Sequence, residues 1–235
     1  MGWFYRLLNY HKVKRYEHIV LLGYNCELAF QLFKHNHFLE SSILAWSYIP
    51  SFQILLKVVN DISLIGSRGF EALADGVMHK DKATGISFHG KARPKDIIGN
   101  TKAIEDDVKE LESRLAFLGE RFKQIAVSTS SKLYVTKIRS GEERIKEKVQ
   151  ELQKVLSIID RGRYDLLVIV ENKEYAQQHF VDDKHLFFRK VDFFSPDDAV
   201  TSKCKNFASW QRIFDEFRPL NKLKQTKHYK FEDIS

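Results

Sequence analysis

Two cysteines stand among the 235 residues, Cys26 and Cys204, in very different settings. Cys26 closes the segment Gly23-Tyr24-Asn25-Cys26, which follows the apolar run HIVLL at residues 18–22. Leu28, Ala29, Leu32 and Phe33 then recur at helical spacing. The run reads as a buried strand and the spacing as a helix, so the thiol falls at a strand-to-helix turn. The first amides of a helix have no intrahelical acceptor and carry a partial positive charge, which favours thiolate over thiol. The same amides, with the Asn25 side chain, suit the oxyanion of a tetrahedral intermediate. Gly23 permits a sharp turn and a close approach of substrate. The chemistry implied is nucleophilic attack on an acyl carbon. A plainer reading stands beside it, because free cysteine is among the most buried residue types and asparagine is a common helix cap. Cys204, in Ser-Lys-Cys-Lys, has no comparable context.

A catalytic thiol needs an imidazole close in space, and nine histidines are spread along the chain. Their spacing does not choose among them. Lys137 and Arg139 close the apolar run LYVTKIR, and Lys91, Arg93 and Lys95 alternate after His89. An anion pocket is the functional reading of these cations and a solvated basic rim the plain one. Arg139 is favoured at the loop junction, since a guanidinium grips phosphate or carboxylate with two parallel bonds while Lys137 offers a point charge. There is no glycine-rich dinucleotide fingerprint, no P-loop and no Cys/His cluster at metal-ligand spacing. Neither a metal nor NAD nor ATP is expected.

The elements that must position these groups follow from periodicity. A helix is predicted from Cys26 to about His35, and another after Pro50, carrying Phe52, Leu55, Val58 and Val59. Residues 61–100 are punctuated by glycine and read as short strands or a long functional loop. Further helices are predicted over 101–123, 142–159 and 207–217, and strands over 133–138, 164–170 and 186–191. This alternation predicts an α/β fold, a Rossmann-like three-layer sandwich with a mostly parallel central sheet. Ligands in such sheets sit beyond the carboxyl ends of the strands, here the loops after residues 22, 139, 170 and 191. The chain reads as a single domain, 1–235, with a basic and aromatic extension at 1–16 and a tail at 218–235.

Composition bounds the rest. Apolar residues form 43% of the chain, enough for a sizeable core. Lys and Arg outnumber Asp and Glu by 38 to 31, a net charge of +7 that suits an anionic small molecule or glycan. No nucleic-acid-reading motif is present, so nucleic acid is not an expected partner. Two cysteines are too few for a disulfide framework, and a cytoplasmic location is expected. No run approaches the roughly 18 apolar residues of a membrane span. Trp3, Phe4, Tyr5, Leu7 and Leu8, beside Arg6, Lys12, Lys14 and Arg15, would suit peripheral contact with a membrane surface.

LLGYNCELAFQL followed by LESSILAWSYI resembles the opening of a bacterial family of papain-like cysteine peptidases. That family begins with a strand, a Gly-x-Asn-Cys turn and a helix, then a Ser-x-Pro-Phe-Asp-Trp-like segment. Gly23, Asn25, Cys26, Ala29, Leu32, Ser42 and Trp46 match it. Weaker matches, in Phe88-His89, LYVTKIR and NFASWQRIF, extend the likeness to about residue 217. The resemblance implies Cys26 as nucleophile, His89 as base and Asn25 beside them. For substrate contacts, Gly23, Tyr24, Ser42, Trp46, Lys137 and Arg139 are the candidates. Asp96, Asp192 and Asn206 are candidates for a third catalytic member. Ala45 stands where the family has Asp, so either the activity is altered or another carboxylate substitutes. The turn is also similar to that of capsule and lipopolysaccharide biosynthesis proteins, which implies hydrolysis or acyl transfer on surface glycans, with coenzyme A as a candidate donor. The rival readings are a non-catalytic sugar-, nucleotide- or coenzyme A-binding domain, hinted at by Ala45, and a membrane-surface scaffold of a glycan assembly system.

Overall fold

The computed structural model describes residues 13–36, 42–74, 76–91, 100–139, 141–178, 180–195 and 206–220. The chain runs through β1 (Lys14–Tyr16), β2 (His18–Leu21), α1 (Glu27–Asn36), β3 (Ser47–Tyr48) and α2 (Phe52–Asn60). It continues through β4 (Phe70–Ala72), β5 (Met78–Asp81), β6 (Ser87–His89), α3 (Thr101–Val127) and β7 (Lys132–Lys137). The remaining elements are α4 (Ile145–Ile159), β8 (Tyr164–Glu171), α5 (Asn172–Gln178), β9 (Leu186–Val191), α6 (Phe207–Glu216) and β10 (Phe217–Pro219).

Strands β2, β7, β8 and β9 lie side by side in that order, all parallel. Alternate residues point to opposite faces of such a sheet. Val20, Tyr134, Leu166, Val168 and Phe188 turn to the face covered by α2, α3 and α4. Ile19, Leu21, Leu133, Val135, Leu167 and Ile169 turn to the face covered by α1 and α6. Both faces are therefore dry, which explains why HIVLL and LLVIV are continuously apolar rather than alternating. This is the predicted three-layer α/β arrangement with a parallel central sheet.

Three features add to the predicted core, the first of them deciding for short strands over a long loop. Residues 61–100 include β4, β5 and β6, which join β3 in a second, antiparallel sheet ordered β3-β6-β5-β4. Its strands are only 2 to 4 residues long, below the length at which alternation can be read from sequence. Lys14–Tyr16, the last part of the predicted extension, form β1, which pairs in parallel with β10 at Phe217–Pro219, where the predicted tail begins. Finally, the described central strands follow one another without reversal of order. The crevice at a strand-order reversal, where Rossmann-type sheets bind ligands, is thus not formed by these four strands.

The amino end of the sheet is held by buried charge. Lys132 Nζ reaches Asp160 Oδ1 at 2.8 Å and the carbonyls of Ile125, Ala126 and Ser128 at 3.2, 3.2 and 2.8 Å. A helix ends with carbonyls that have no intrahelical partner and a partial negative charge, and the ammonium satisfies both at the end of α3. Tyr134 donates to the other Asp160 oxygen at 2.7 Å. The Lys132 and Asp160 side chains are wholly buried, so removing one leaves the other without its counter-charge. Lys132→Met should cost about 3–5 kcal/mol in urea unfolding, the scale for breaking a buried pair. A loss under 1 kcal/mol would show that α3 and α4 are held by apolar packing alone.

Candidate functional site

The carboxyl end of β2 turns into α1 within five residues, and each is positioned by an identifiable contact. Leu22 N–H donates to Val135 O at 2.8 Å, the last ladder bond to β7. Gly23 then takes φ 64°, in the left-handed region. A Cβ there would stand 2.5 Å from Ile49 Cδ1 and 3.3 Å from Leu44 O. The space that a side chain would need at Gly23 is thus filled by Ile49 and Leu44 of the chain itself. Tyr24 adopts φ 151°, a conformation rare for any side-chain-bearing residue and costing roughly 1–3 kcal/mol. Asn25 Oδ1 accepts from Glu27 N–H at 3.2 Å and so caps α1. Cys26 O accepts from Phe30 N–H at 3.0 Å, making Cys26 the last residue before the helix.

The strained Tyr24 is held on three sides. Its carbonyl accepts from Ile49 N–H at 3.0 Å, which joins the turn to the end of β3. Its hydroxyl donates to Glu142 Oε1 at 2.9 Å, and Glu142 also pairs with Lys148. The Arg139 guanidinium carbon lies 4.2 Å from the centre of the Tyr24 ring and 4.8 Å from that of Tyr48. Arg139 also donates to the Tyr48 hydroxyl at 3.3 Å. Tyr24 is buried, Tyr48 is exposed and Arg139 is half-buried, so the stack runs from the turn outward to solvent. Burial and the bond to Glu142 push the Tyr24 hydroxyl well above the usual tyrosine range.

Lys137 does not join Arg139. Its Nζ lies 2.6 Å from Glu27 Oε2, both side chains are buried, and the ammonium sits 4.7 Å from the centre of the Phe194 ring. Glu27 Oε1 accepts from Ser195 N–H at 2.9 Å. The lysine expected to bind an anion is thus paired with a neighbouring carboxylate. Ser42 is committed too, donating to Leu21 O at 2.9 Å. Trp46 is half-buried against the apolar layer around α1, and Ala45 is buried in that layer among Leu28, Ala29 and Trp210.

The Cys26 thiol is half-buried, and burial pushes its pKa up to about 11. A hydrogen bond from its own backbone and the charge of Lys137 pull the other way and do not win. Desolvation thus opposes the thiolate that the strand-to-helix setting favours, and it is the largest of the effects acting on the group. No described histidine is among the groups acting on the thiol.

His89 is exposed at the end of β6. Ser87 faces Tyr48 across β3, and residues two apart share a face. His89 is therefore a diagonal neighbour of Tyr48, about 7–8 Å from it. The segment that carries it is fastened to α3. Arg114 donates to His89 O at 2.5 Å, Lys91 N–H to Asp107 Oδ1 at 2.8 Å, and Lys91 Nζ to Glu110 at 2.8 Å. Asp107 Oδ2 lies 2.6 Å from His79 Nε2 in a wholly buried pair, with Gly90 pressed against it. The sequence carries no local signal for this pair, whose members are 28 residues apart.

The candidates for a third member have other work. Asp192 accepts from Ser209 at 2.6 Å, and Asn206 donates to Phe193 O at 2.5 Å, both fastening α6. Asp96, Arg93, Lys95, Cys204 and the residues before Val13 lie outside the described residues. Among the described residues no three His, Cys, Asp or Glu side chains are placed to hold a metal ion, and no helix is long and apolar enough to cross a membrane.

No family model, curated protein or solved structure matches this chain.

Two expectations test these contacts. Gly90→Ala would drive a Cβ into Asp107 Oδ2 and should lower stability by about 1–3 kcal/mol; an unchanged melting temperature would show that Asp107 moves aside freely. Burial alone would raise the Glu142 pKa, but the bonds from Lys148 and Tyr24 hold it below the usual carboxylate range. A depressed folded pKa contributes stability above the unfolded value, about 4.3, and loses it as pH falls through the folded value. Glu142→Gln should therefore destabilise at pH 7 and cost progressively less below pH 4. A penalty that stays constant down to pH 2 would count against the link.

Proposed function

We propose that this chain transfers acyl groups from an anionic donor through Cys26, acting in the cytoplasm on precursors of a bacterial surface polysaccharide. The observation that carries the reading is the position of Cys26. It stands immediately before α1, at the carboxyl edge of the central sheet, with the Arg139 stack built on its neighbour Tyr24. Arg139 grips the phosphate or carboxylate of the donor, for which coenzyme A thioesters are the leading class. His89 takes the thiol proton, and the sulfur attacks the acyl carbon. The oxyanion forms at the amino end of α1, where the helix dipole favours negative charge. The leaving group departs with the proton from the imidazole, and the acyl group passes from Cys26 to water or to a glycan hydroxyl. Because burial favours the neutral thiol, the step needs the exposed His89 side chain to swing to the sulfur as substrate binds, from a backbone that α3 holds in place.

A second reading has its own support: a sugar-, nucleotide- or coenzyme A-binding domain without catalysis. The thiol is protonated, no described histidine bonds it, and apolar Ala45 is buried where an orienting acid is expected. Intact-mass analysis after incubation with acyl coenzyme A thioesters and an activated ester separates the two. Acyl transfer predicts one adduct on Cys26 at pH 7.5, absent in Cys26→Ala and formed about 100-fold more slowly in His89→Gln. If no adduct forms, but coenzyme A or a nucleotide-sugar raises the melting temperature and Arg139→Ala abolishes the shift, the binding domain is established. With neither adduct nor shift, the site lies elsewhere.

A further inference from the structure

At the amino end of the central sheet, opposite the edge that carries Cys26, the Asp165 carboxylate meets three side chains. Tyr16 donates to its Oδ2 at 2.6 Å, Lys14 Nζ lies 3.4 Å from the same oxygen, and Oδ1 is 2.7 Å from Nδ1 of His185. The bonds from Tyr16 and Lys14 fasten β1 to β8. The imidazole is half-exposed, and an exposed pair adds little to such fastening, so stability does not account for the histidine. The ring is nonetheless held in one orientation. The His185 carbonyl accepts from Leu166 N–H at 2.9 Å, and the turn around it is closed by Asp183 N–H on Leu186 O at 2.8 Å. Burial and the bond to Asp165 push the Tyr16 hydroxyl above the usual tyrosine range, which keeps it a donor. With Tyr16 and Lys14 donating to Oδ2, Asp165 is an acceptor towards the ring, which assigns the imidazole hydrogen to Nδ1. Nε2 then carries the lone pair, and no described residue is bonded to it.

We propose that His185 accepts a phosphoryl group on Nε2, with Asp165 holding the ring and the hollow beside that carboxylate receiving the phosphoryl donor. The hollow has a volume of about 310 Å³ and is lined by Val13, Lys14, Arg15, Tyr16 and Asp165, so the carboxylate that orients the ring is also part of its wall. An imidazole with a free lone pair is a nucleophile, and phosphoryl transfer asks the protein mainly for positioning and for cations near the transferring oxygens. Lys14 and Arg15 bring that charge, and Lys14 also offsets Asp165, which would otherwise repel the incoming group. The donor class is a small anionic molecule with a good leaving group, an acyl phosphate or a phosphoramidate. The Nε2 lone pair forms the N–P bond as the P–O or P–N bond of the donor breaks, and the leaving group departs with that bond's electron pair. The positive charge that arises on the ring is stabilised through Nδ1–H by Asp165, a positioning residue. This site is independent of the chemistry at Cys26.

Incubation of the full chain with potassium phosphoramidate tests the proposal. Mass spectrometry under alkaline conditions, which preserve N–P bonds, identifies the histidine, and phosphorus NMR identifies the ring nitrogen. His185 should be modified before any other histidine, and on Nε2. Asp165→Asn should slow modification of His185 roughly tenfold or more, the scale for removing a carboxylate behind an imidazole, and should spread the adduct over both ring nitrogens. Lys14→Met should also slow the reaction but keep it on Nε2, because it removes charge and leaves the ring held. Mere loosening of β1 would instead affect both variants alike and leave the choice of nitrogen unchanged in both. Another histidine reacting first, a phosphoryl group on Nδ1, or an Asp165→Asn protein that reacts as fast and as selectively as the unmodified one overturns the proposal. If Asp165→Asn does not fold, the first two outcomes still decide it.

Discussion

The buried contact between Glu27 and Lys137 is the joint around which the carboxyl edge of this protein is organised. It ties the first turn of α1 to the last residue of β7, and through Ser195 to the segment after β9. Three connections that are far apart in sequence therefore meet at one ion pair. Neither ion can be withdrawn alone, because each would be left uncompensated in a dry interior. The position of Cys26 follows from that joint, since it is the residue before Glu27 and has little freedom once the carboxylate is anchored.

Other carboxylates at the same edge fasten neighbouring loops. Glu171 accepts from Phe194 N–H at 2.7 Å, Glu174 from Gly141 N–H at 3.0 Å, and Glu142 from the Tyr24 hydroxyl. Each captures a donor on a loop that leaves a different strand. The amino end works by the same principle with the sign reversed, where the Lys132 ammonium gathers helix-terminal carbonyls. The net charge of +7 consequently says little about this edge, where Lys137 and Lys148 have carboxylate partners.

Arg139 is held differently, by two aromatic faces and a hydroxyl. Stacking fixes the plane of a guanidinium and so restricts the directions in which its N–H groups point. The unfavourable backbone of Tyr24 is the cost of this arrangement. The ring must lie under Arg139 while the next two residues turn into α1, and the bonds to Ile49 and Glu142 over-determine that conformation. Strain sustained by several contacts is a common mark of a functional position.

Periodicity alone determined the parallel core. HIVLL, LYVTKI, YDLLVIV and the 186–191 run announced themselves because strands covered on both faces must be continuously apolar. The helices over 101–127 and 145–159 were legible from their apolar stripes. Cys26 at a strand-to-helix turn was legible for the same local reason. What the sequence could not decide was anything that depends on partners distant along the chain. The antiparallel sheet has strands too short to show a period, and the β1–β10 pairing joins residues about 200 apart. The upward shift of the Cys26 thiol comes chiefly from burial, opposed by a backbone hydrogen bond and by Lys137, 111 positions away. Lys137 reads as a ligand-binding cation until the fold sets Glu27 against it. Tertiary structure decides such matters because desolvation and Coulomb energy depend on what surrounds a group in space, and local sequence records only what adjoins it along the chain.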